Sequence, residues 1–556
     1  MRDDQGRVLI VGASAAGLRC AARLRRLQPQ RPITVVEQSA VFSVAACGMP
    51  YVLSGDIADA NALRKTGDGA LRDAHYFEAV KGIEVLAETR AVAVDAAGHT
   101  LRVSGAAGER ELPWDQLVLA TGGRARKLPG QPEHPRVRAF HCFEDIAPLA
   151  EGLKKGSIER AVVVGAGLVG CELAEAFKSL WDAEVCLIEA GGWPLPQILD
   201  AEAGAVVAHE LVHNEVELHC GAPVDGIATD DEGVAVSAGG ATHRGDVVVV
   251  AFGVEPAVEL ARSADLRLGS TGAIAVDDRL ATSVPDIFAA GDCIEVSHAV
   301  TGQPAYRPLG SLANRQGRTL ANVLAGRDDR FGPVAGAGAI KIFDLNVACA
   351  GVPLGAARRD FPRAASVWMS PSDSAHYWPE SKNLHLQLVY DADSRRVLGI
   401  QAVGPGECAK RVDVASQLLL RGADLAAFTQ IEHAYAPPYA PAVEPLAQVA
   451  MVAEDALDGV EAIPPSADLE AAPLLDVRHP EEWEQFPVPV DGVKCIDQLD
   501  LRGRLDELGH GPWTLICARG TRSAEVVRML RQRGVDARYV GGGLLWLRSS
   551  GRAGDG

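Results

Sequence analysis

The chain has 556 residues, of which 47% are hydrophobic and 23% charged, a composition typical of folded α/β proteins and not of disordered ones. This length exceeds what one hydrophobic core can organise, so we expect three or four domains. The formal net charge of −19 argues against nucleic acid or an anionic membrane surface as a partner.

Eleven cysteines are scattered along the chain without the spacing of a disulfide framework or a metal site. This usage is typical of a reducing cytoplasm, and the pattern predicts no metal. The amino terminus has no basic leader, and no apolar run approaches the length of a membrane span. We therefore expect a cytoplasmic protein that binds neither a membrane nor nucleic acid.

The first predicted elements are a buried strand at 8–11, a glycine turn at 12–17, a helix at 18–27 and a second strand at 33–37. Glu37 follows the last glycine by about twenty residues, where a carboxylate can bind an adenosine ribose while the helix N-terminus holds the pyrophosphate. Ser14 replaces the middle glycine of the motif. The candidate dinucleotide-binding residues of this unit are Gly12, Ser14, Ala15, Ala16, Gly17 and Glu37.

Cys47 follows this unit and has no second cysteine within five residues on either side. A lone thiol cannot store two electrons in its own disulfide, so it must react with a substrate sulfur or become a sulfenic acid. The alternative is a buried structural cysteine. The neighbouring Gly48 and Pro50 favour an exposed thiol in a turn.

A second nucleotide-binding unit begins with a strand at 161–164, followed by Gly165, Gly167 and Gly170. The next strand, at 185–188, ends at Glu189. Strand, three glycines, helix and strand-terminal acid in this order make a chance match unlikely. Glu189, with no arginine directly after it, favours NADH over NADPH because it would repel a 2′-phosphate.

Two further motifs, Thr121-Gly122 and Gly291-Asp292, complete an order that resembles the pyridine nucleotide-disulfide oxidoreductase family across residues 7–455. The resemblance implies an α/β fold with two Rossmann-like domains, and Asp292 reaching the ribityl and phosphate region of FAD. It implies an FAD-binding domain at 1–118 and 251–330, an NAD-binding domain at 119–250, and an α+β dimerisation domain at 331–460. Predicted strands at 384–390 and 397–400 and a helix at 414–421 belong to the last of these.

The prolines at 462–467 predict a short linker. Beyond it, residues 468–556 resemble a rhodanese domain, an α/β fold, through Asp476, Arg478 and the loop that begins at Cys517. That loop closes onto a helix predicted to start near Ser523, so backbone N–H groups surround the sulfur, and Arg519 and Arg522 add positive charge. The alternative is an inert relic of a catalytic domain.

Cys47, Tyr377 and Tyr435 most resemble the branch of coenzyme A-disulfide and coenzyme A-persulfide reductases. The resemblance implies that the two tyrosines protonate or hold a thiolate at the other subunit's active site, in a homodimer. Ala46 and Val443 stand where the branch has an asparagine and a lysine that contacts coenzyme A. The candidate substrate-binding residues are Ser43, Arg19, Arg23, Arg26, Arg519 and Arg522.

The predicted function is FAD-dependent and NADH-driven reduction of a small-thiol persulfide or disulfide by Cys47. Coenzyme A, glutathione persulfide and polysulfide remain open as substrates. Cys517 is expected to supply sulfane sulfur to Cys47, directly or through a small thiol. Two alternatives stay open: an NADH oxidase or peroxidase that uses a cysteine sulfenic acid, and a non-enzymatic redox sensor.

Overall fold

We describe a computed structural model that covers residues 6–553, so the outermost ends of the first and last predicted domains lie outside the described residues. The amino-terminal part begins with the predicted strand, glycine turn and helix. Its elements are β1 (Val8–Val11), α1 (Ala15–Leu27), β2 (Ile33–Val36), α2 (Met49–Leu53), α3 (Ala74–Lys81), β3 (Glu84–Leu86), β4 (Arg90–Asp95), β5 (Thr100–Gly105), β6 (Gly108–Pro113), β7 (Gln116–Leu119) and β8 (Gly123–Ala125).

The next part holds the second predicted nucleotide-binding unit. Its elements are β9 (Val137–Ala139), α4 (Ile146–Lys154), β10 (Arg160–Val164), α5 (Leu168–Trp181), β11 (Glu184–Ile188), α6 (Ala201–His213), β12 (Glu217–His219), β13 (Val224–Asp230), β14 (Gly233–Ala238), β15 (Ala241–Gly245), β16 (Val247–Val250) and β17 (Val254–Pro256). A parallel sheet of order β12-β11-β10-β16-β9 forms its centre. The antiparallel sheet β13-β14-β15 covers one face of it, with buried valines between the two layers.

The chain then returns to its first domain. The returning elements are α7 (Glu259–Ser263), β18 (Ile287–Ala289), β19 (Val296–Ser297), β20 (Pro304–Ala305) and α8 (Gly310–Leu324). Strand β18 pairs with β7, which gives a parallel sheet of order β18-β7-β1-β2-β3. The two predicted Rossmann-like domains, the first of them split in sequence, are therefore confirmed.

A five-stranded antiparallel sheet of order β21-β22-β25-β24-β23 follows. Its domain contains β21 (Gly338–Ile342), β22 (Leu345–Gly351), α9 (Leu354–Asp360), β23 (Ala364–Met369), β24 (His385–Asp391), β25 (Val397–Gly404), α10 (Ala409–Leu419), α11 (Leu425–Thr429) and α12 (Pro445–Leu457). Both predicted strands are present. Helix α10 begins five residues earlier than the predicted helix at 414–421.

The C-terminal domain is a small parallel α/β sheet of order β26-β30-β29-β27-β28. Its elements are β26 (Ala462–Ile463), β27 (Leu474–Asp476), α13 (Pro480–Gln485), β28 (Lys494–Cys495), β29 (Trp513–Ile516), α14 (Thr521–Arg531), β30 (Ala537–Val540) and α15 (Gly543–Ser549). The predicted linker at 462–467 is wrong in its first half, because β26 pairs with β30 and already belongs to this domain. Proline excludes a central strand, but the strand ends at Ile463, before the first proline.

The C-terminal domain packs firmly on the rest of the chain. Trp546 is fully buried, joins the core of the second Rossmann-like domain, and donates its indole N–H to the carbonyl of Glu202 at 3.2 Å. Ser370 donates a 2.8 Å hydrogen bond to the carbonyl of Gly542. Within residues 6–553, no helix is both long and apolar enough to cross a membrane.

Candidate active site

The glycine turn after β1 is shaped for close approach by a ligand. A β-carbon on Gly12, whose φ is +109°, would lie 2.1 Å from the carbonyl oxygen of Ala120, and one on Gly17 would lie 2.0 Å from that of Gly12. Only glycine fits both positions. The carboxylate of Glu37 accepts the Ala13 N–H at 2.8 Å, which holds it against the turn at the N-terminus of α1.

The loops at 121–122 and 291–292 lie beside this turn. Gly291 donates its N–H to Gln316 of α8 at 2.7 Å, and the Thr121 hydroxyl donates to the Ala257 carbonyl at 2.7 Å. Burial raises the pKa of Asp292. The phenol oxygen of Tyr306 is buried and, among the described residues, has no hydrogen-bond partner. A buried polar atom of this kind calls for a ligand partner, so the cleft suits a polar cofactor such as FAD.

The second glycine turn repeats the arrangement. A β-carbon on Gly170 would lie 1.8 Å from the carbonyl oxygen of Gly165, and Gly167 caps the N-terminus of α5. Glu189 accepts the N–H groups of Ala166 and Gly191 at 2.8 and 2.7 Å. The two sequence-predicted acids therefore hold equivalent places in two equivalent turns.

Cys47 lies in a 3₁₀ turn (Ala46–Gly48) and is exposed, as predicted. A β-carbon on Gly310 would lie 3.8 Å from its Sγ, so the thiol faces the first residue of α8. The positive end of that helix favours a thiolate. Opposing this, partial burial of the thiol and then the charges of Glu172 and Asp292 raise its pKa above the ordinary value.

Glu172 and Glu175 of α5 line a small pocket beside Cys47 with Pro50, Tyr51 and Ser54. Burial, followed by the charge of Glu175, raises the pKa of Glu172 to about 7. Glu175 is itself held by Lys341 at 2.6 Å. Glu172 was not among the residues predicted for the site, although it lies two residues after Gly170.

Tyr377 and Tyr435 lie 58 residues apart in sequence, and the structure brings their phenols together, so that hydrogen bonding to Tyr435 and then its charge raise the pKa of Tyr377. Their exposed fractions are 63% and 51%, unusual for tyrosines with no catalytic or interface role. The loop that carries Tyr377 also borders a cavity of about 490 Å³ lined by Trp378 and Lys382. Within the described residues, no hydrogen bond links either phenol to Cys47 of the same chain.

A positive patch forms where α1 and α8 pack together. A β-carbon on Gly317 of α8 would lie 2.3 Å from the Ala16 carbonyl oxygen, so the helices are in close contact. Partial burial and then neighbouring positive charges lower the pKa of Arg23. Those charges belong to Arg318, Arg327, Arg26 and Arg19. Three of the five arginines were predicted, while Arg318 and Arg327 were missed because they are 290 or more residues away.

Ser43 precedes the Cys47 turn but differs from the other predicted substrate-binding residues. It is buried, with a φ of +58°, and its backbone N–H donates to the Ala13 carbonyl at 3.0 Å. Arg72 donates to its carbonyl at 2.9 Å. These contacts give Ser43 a role in shaping the loop, and its contact with substrate stays a prediction.

Cys517 is fully buried at the end of β29, and the Gly520 N–H donates to its Sγ at 3.1 Å. Helix α14 begins at Thr521, two residues before the predicted start. Ser523, in the first turn of α14, is fully buried, and its hydroxyl has no partner among the described residues. Arg522 forms a two-pronged ion pair with Glu482, and hydrogen bonding to both Glu482 and Cys517 raises its pKa.

Arg519, predicted to bind substrate at Cys517, makes its hydrogen bonds to another domain, and its contact with substrate stays a prediction. Its guanidinium donates to the Ser370 carbonyl at 3.1 Å, to the Ser372 hydroxyl at 3.0 Å and to Asn383 Oδ1 at 2.8 Å. All three acceptors belong to the dimerisation domain, at the base of the loop that carries Tyr377. The three acceptors match the planar, forked guanidinium group, so this side chain holds the two domains together.

Residues 6–308 match the model of the pyridine nucleotide-disulphide oxidoreductase family, and residues 338–447 match the dimerisation domain of the same family. The first match alone covers more than half of the chain. This chain belongs to the pyridine nucleotide-disulphide oxidoreductase family.

Solved structures of family members extend the match into the C-terminal domain. The structure of an NAD-dependent persulfide reductase from A. fulgidus shares 37% identity, with a TM-score of 0.94 over 98% of this chain and 100% of the other. Reduced Bacillus anthracis CoADR-RHD shares 28% identity, with a TM-score of 0.89 over 98% of both chains. A curated relative, the NAD(P)H sulfur oxidoreductase (CoA-dependent) of Pyrococcus abyssi, is 32% identical over 80% of this chain and 97% of its own.

Family membership confirms the predicted enzyme class and its cofactors, FAD and NAD(P)H. The residues in place fit both: Gly12, Gly17 and Glu37 can hold the first, and Gly165 and Glu189 the second.

Proposed function

We propose that this flavoenzyme uses NADH to reduce the persulfide or disulfide of a small thiol, with coenzyme A persulfide as its first candidate substrate. The observation that carries the proposal is Cys47, a lone exposed thiol that faces the N-terminus of α8. For a persulfide the balance is NADH, one proton and RSSH giving NAD⁺, RSH and H₂S. FAD, when bound, supplies the chemistry that accepts hydride from NADH and passes on two electrons.

The protein's own residues make the sulfur step possible. The thiolate of Cys47 attacks the outer sulfur of RSSH, the S–S bond of the substrate breaks, and RS⁻ leaves. Cys47 then carries the sulfur as a persulfide, which two electrons and protons convert to the thiol and sulfide. Tyr377 or Tyr435 protonates the leaving thiolate, since a phenol at neutral pH is a proton donor.

The placement of the two tyrosines supports a homodimer. Both phenols are exposed in the single chain, and Tyr439, Val443 and Met451 of the same domain are also exposed although large and apolar. Such a surface needs a partner to cover it. A second copy would bring its tyrosines to the first copy's Cys47, as the family resemblance implies.

The arginine patch on α1 and α8 supports a substrate with several phosphates. Partial burial and then four neighbouring guanidinium charges lower the pKa of Arg23, and an anion of high charge would relieve this repulsion. Coenzyme A carries several phosphate charges that could pair with these arginines. Inorganic polysulfide and glutathione carry fewer negative charges and would pair with only one or two of the arginines. Val443 stands where the branch has its coenzyme A-binding lysine, so the patch would have to supply that charge.

We further propose that the C-terminal domain is a rhodanese domain in which Cys517 carries sulfane sulfur. The Gly520 N–H, the start of α14 and Arg522 surround Sγ, which suits a persulfide anion. All eleven cysteines are free, which supports a reducing compartment such as the cytoplasm. Glu189 and the neutral residues after it support NADH over NADPH.

Steady-state oxidation of NADH against a panel of acceptors tests the proposal. The panel is coenzyme A persulfide, coenzyme A disulfide, glutathione persulfide, polysulfide, oxygen and peroxide, each repeated with NADPH. We expect the highest kcat/KM with coenzyme A persulfide and NADH, with sulfide as the measured product. Faster turnover with oxygen or peroxide alone would make the chain an oxidase or peroxidase, and bound FAD without turnover of any acceptor would make it a sensor.

A further inference from the structure

A second cluster of reactive side chains lies in the NAD-binding domain, away from Cys47 and Cys517. It consists of Cys186 on β11, Glu217 and His219 on β12, and His243 on β15. One sulfur, two imidazole nitrogens and one carboxylate oxygen lie within 4.8 Å of one another. We propose that these four residues bind a zinc ion.

The fold explains why they converge. Cys186 and Glu217 are direct partners in the parallel pairing of β11 and β12. Glu217 and His219 are two positions apart, so their side chains share one face of β12. His243 comes from β15 of the antiparallel sheet that covers that face. The cluster therefore joins the edge of the main sheet to its covering layer.

Two of the distances are close to those between the donors of a tetrahedral ion. Cys186 Sγ lies 3.6 Å from His243 Nδ1, which lies 3.9 Å from Glu217 Oε1. Zinc bonds of about 2.0 to 2.3 Å place tetrahedral donors about 3.3 to 3.8 Å apart. His219 Nε2 lies 2.9 Å from Glu217 Oε1, a hydrogen-bond distance, so the bound ion would have to separate this pair slightly.

The donor set and its surroundings favour zinc over calcium or magnesium. Thiolate and imidazole are ligands of zinc, whereas the other two ions take oxygen ligands. Cys186 and His243 are buried, which limits exchange of the ion. Arg160 donates to Glu217 Oε2 at 2.6 Å and so orients the carboxylate with Oε1 towards the cluster, as outer partners of metal ligands do.

The inferred ion is structural. Four protein ligands leave no open position for a substrate or water. On binding, the Cys186 thiol loses its proton to solvent, and the ion ties β11, β12 and β15 together. The same strands support the nucleotide site, because the Glu189 N–H donates to the His219 carbonyl at 2.8 Å. The local spacing gave no sign of this site, since its ligands span 58 residues and two sheets.

Metal content of the purified full-length flavoprotein tests the inference. The protein is incubated with zinc chloride alone, desalted, and analysed by mass spectrometry and by X-ray absorption at the zinc edge. We expect about one tightly held zinc per chain, with one sulfur and three nitrogen or oxygen ligands. Cys186→Ser and Glu217→Gln should lose most of it, while Cys220→Ser, which changes a thiol next to His219 but outside the cluster, should keep it.

Bound FAD and the far-ultraviolet circular dichroism of each variant show whether it has folded. Glu217→Gln changes a half-exposed side chain and serves where Cys186→Ser does not fold. Absence of tight zinc in the unchanged protein would overturn the inference. So would zinc that persists equally in Cys186→Ser and Glu217→Gln, because the ion would then belong to another cysteine.

Discussion

Arg519→Ala separates the two roles that the sequence and the structure give to this arginine. The guanidinium makes three hydrogen bonds of 2.8 to 3.1 Å to the dimerisation domain. A hydrogen bond from a charged donor contributes about 1.5 to 3 kcal/mol, but water replaces part of this at a half-buried site. We therefore expect the docked position of the C-terminal domain to lose about 2 to 4 kcal/mol, an increase of about 30- to 900-fold in local opening.

Hydrogen exchange measured by mass spectrometry reports this opening where it occurs. Peptides that cover residues 370–383 and 517–523 should exchange faster in Arg519→Ala, while peptides from β1 and β10 should be unchanged. Arg538→Ala is the matched control, because Arg538 is also half-buried but makes one long bond of 3.5 Å within its own sheet. It should leave both interface peptides protected.

A double-mutant cycle with Asn383→Ala isolates the contact. If Arg519 acts through the interface, the two single changes should weaken docking, and the double change should cost less than their sum. Unchanged exchange together with lost sulfur transfer from thiosulfate would refute this reasoning. Arg519 would then act on substrate at Cys517, as the sequence pattern alone predicts.

Three other predictions concern the reductase site. Cys47→Ser should keep FAD and its reduction by NADH in a stopped-flow experiment but lose turnover of persulfide, because serine supplies no thiolate. Glu172→Gln should lower the pKa of Cys47, because it removes a neighbouring negative charge. Alkylation of Cys47 by iodoacetamide should therefore be faster above pH 7, where Glu172 is ionised, and unchanged near pH 5, where Glu172 is neutral. Tyr435→Phe removes the hydrogen bond that raises the pKa of Tyr377, and kcat for persulfide should fall by about 100-fold or more, while FAD reduction stays unchanged.

Each of these has an outcome that contradicts it. Persulfide turnover at the unchanged rate in Cys47→Ser would make that cysteine structural. If the alkylation of Cys47 has the same pH dependence in Glu172→Gln as in the unchanged protein, the charge of Glu172 does not affect the pKa of the thiol. Slower FAD reduction in Tyr435→Phe would indicate that the tyrosine supports the fold of the flavin site.

The nucleotide-binding units could be predicted because their signals are local. The turn of Gly12 and Gly17 and that of Gly165 and Gly170 are required by carbonyl oxygens a few residues away or on the next strand. The acid at the end of each second strand lies at a fixed offset because a strand, a turn and a helix have fixed lengths. The order of motifs along the chains of the family then allowed the remaining motifs to be located.

Several features that the sequence did not reveal depend on distant segments. Arg318 reaches Arg23 only because two helices from opposite ends of a split domain pack together. The pairing of β26 with β30 depends on residues more than 70 positions apart. Pairings of this kind follow from the whole tertiary fold, and no local periodicity encodes which two surfaces will meet.

The docked C-terminal domain changes how its cysteine can serve Cys47. A flexible linker at 462–467 would let Cys517 swing and raise its local concentration. Instead, the Gly541 N–H holds the Ile463 carbonyl at 2.9 Å, and Trp546 and Arg519 fix the other side of the domain. Cys517 is also fully buried, so either Cys47 or a small thiol reaches its sulfur only after local opening. On the proposed function, this fixed position favours a diffusing small thiol as the sulfur carrier, and the transfer rate should then depend on the concentration of that thiol and not on the length of a tether.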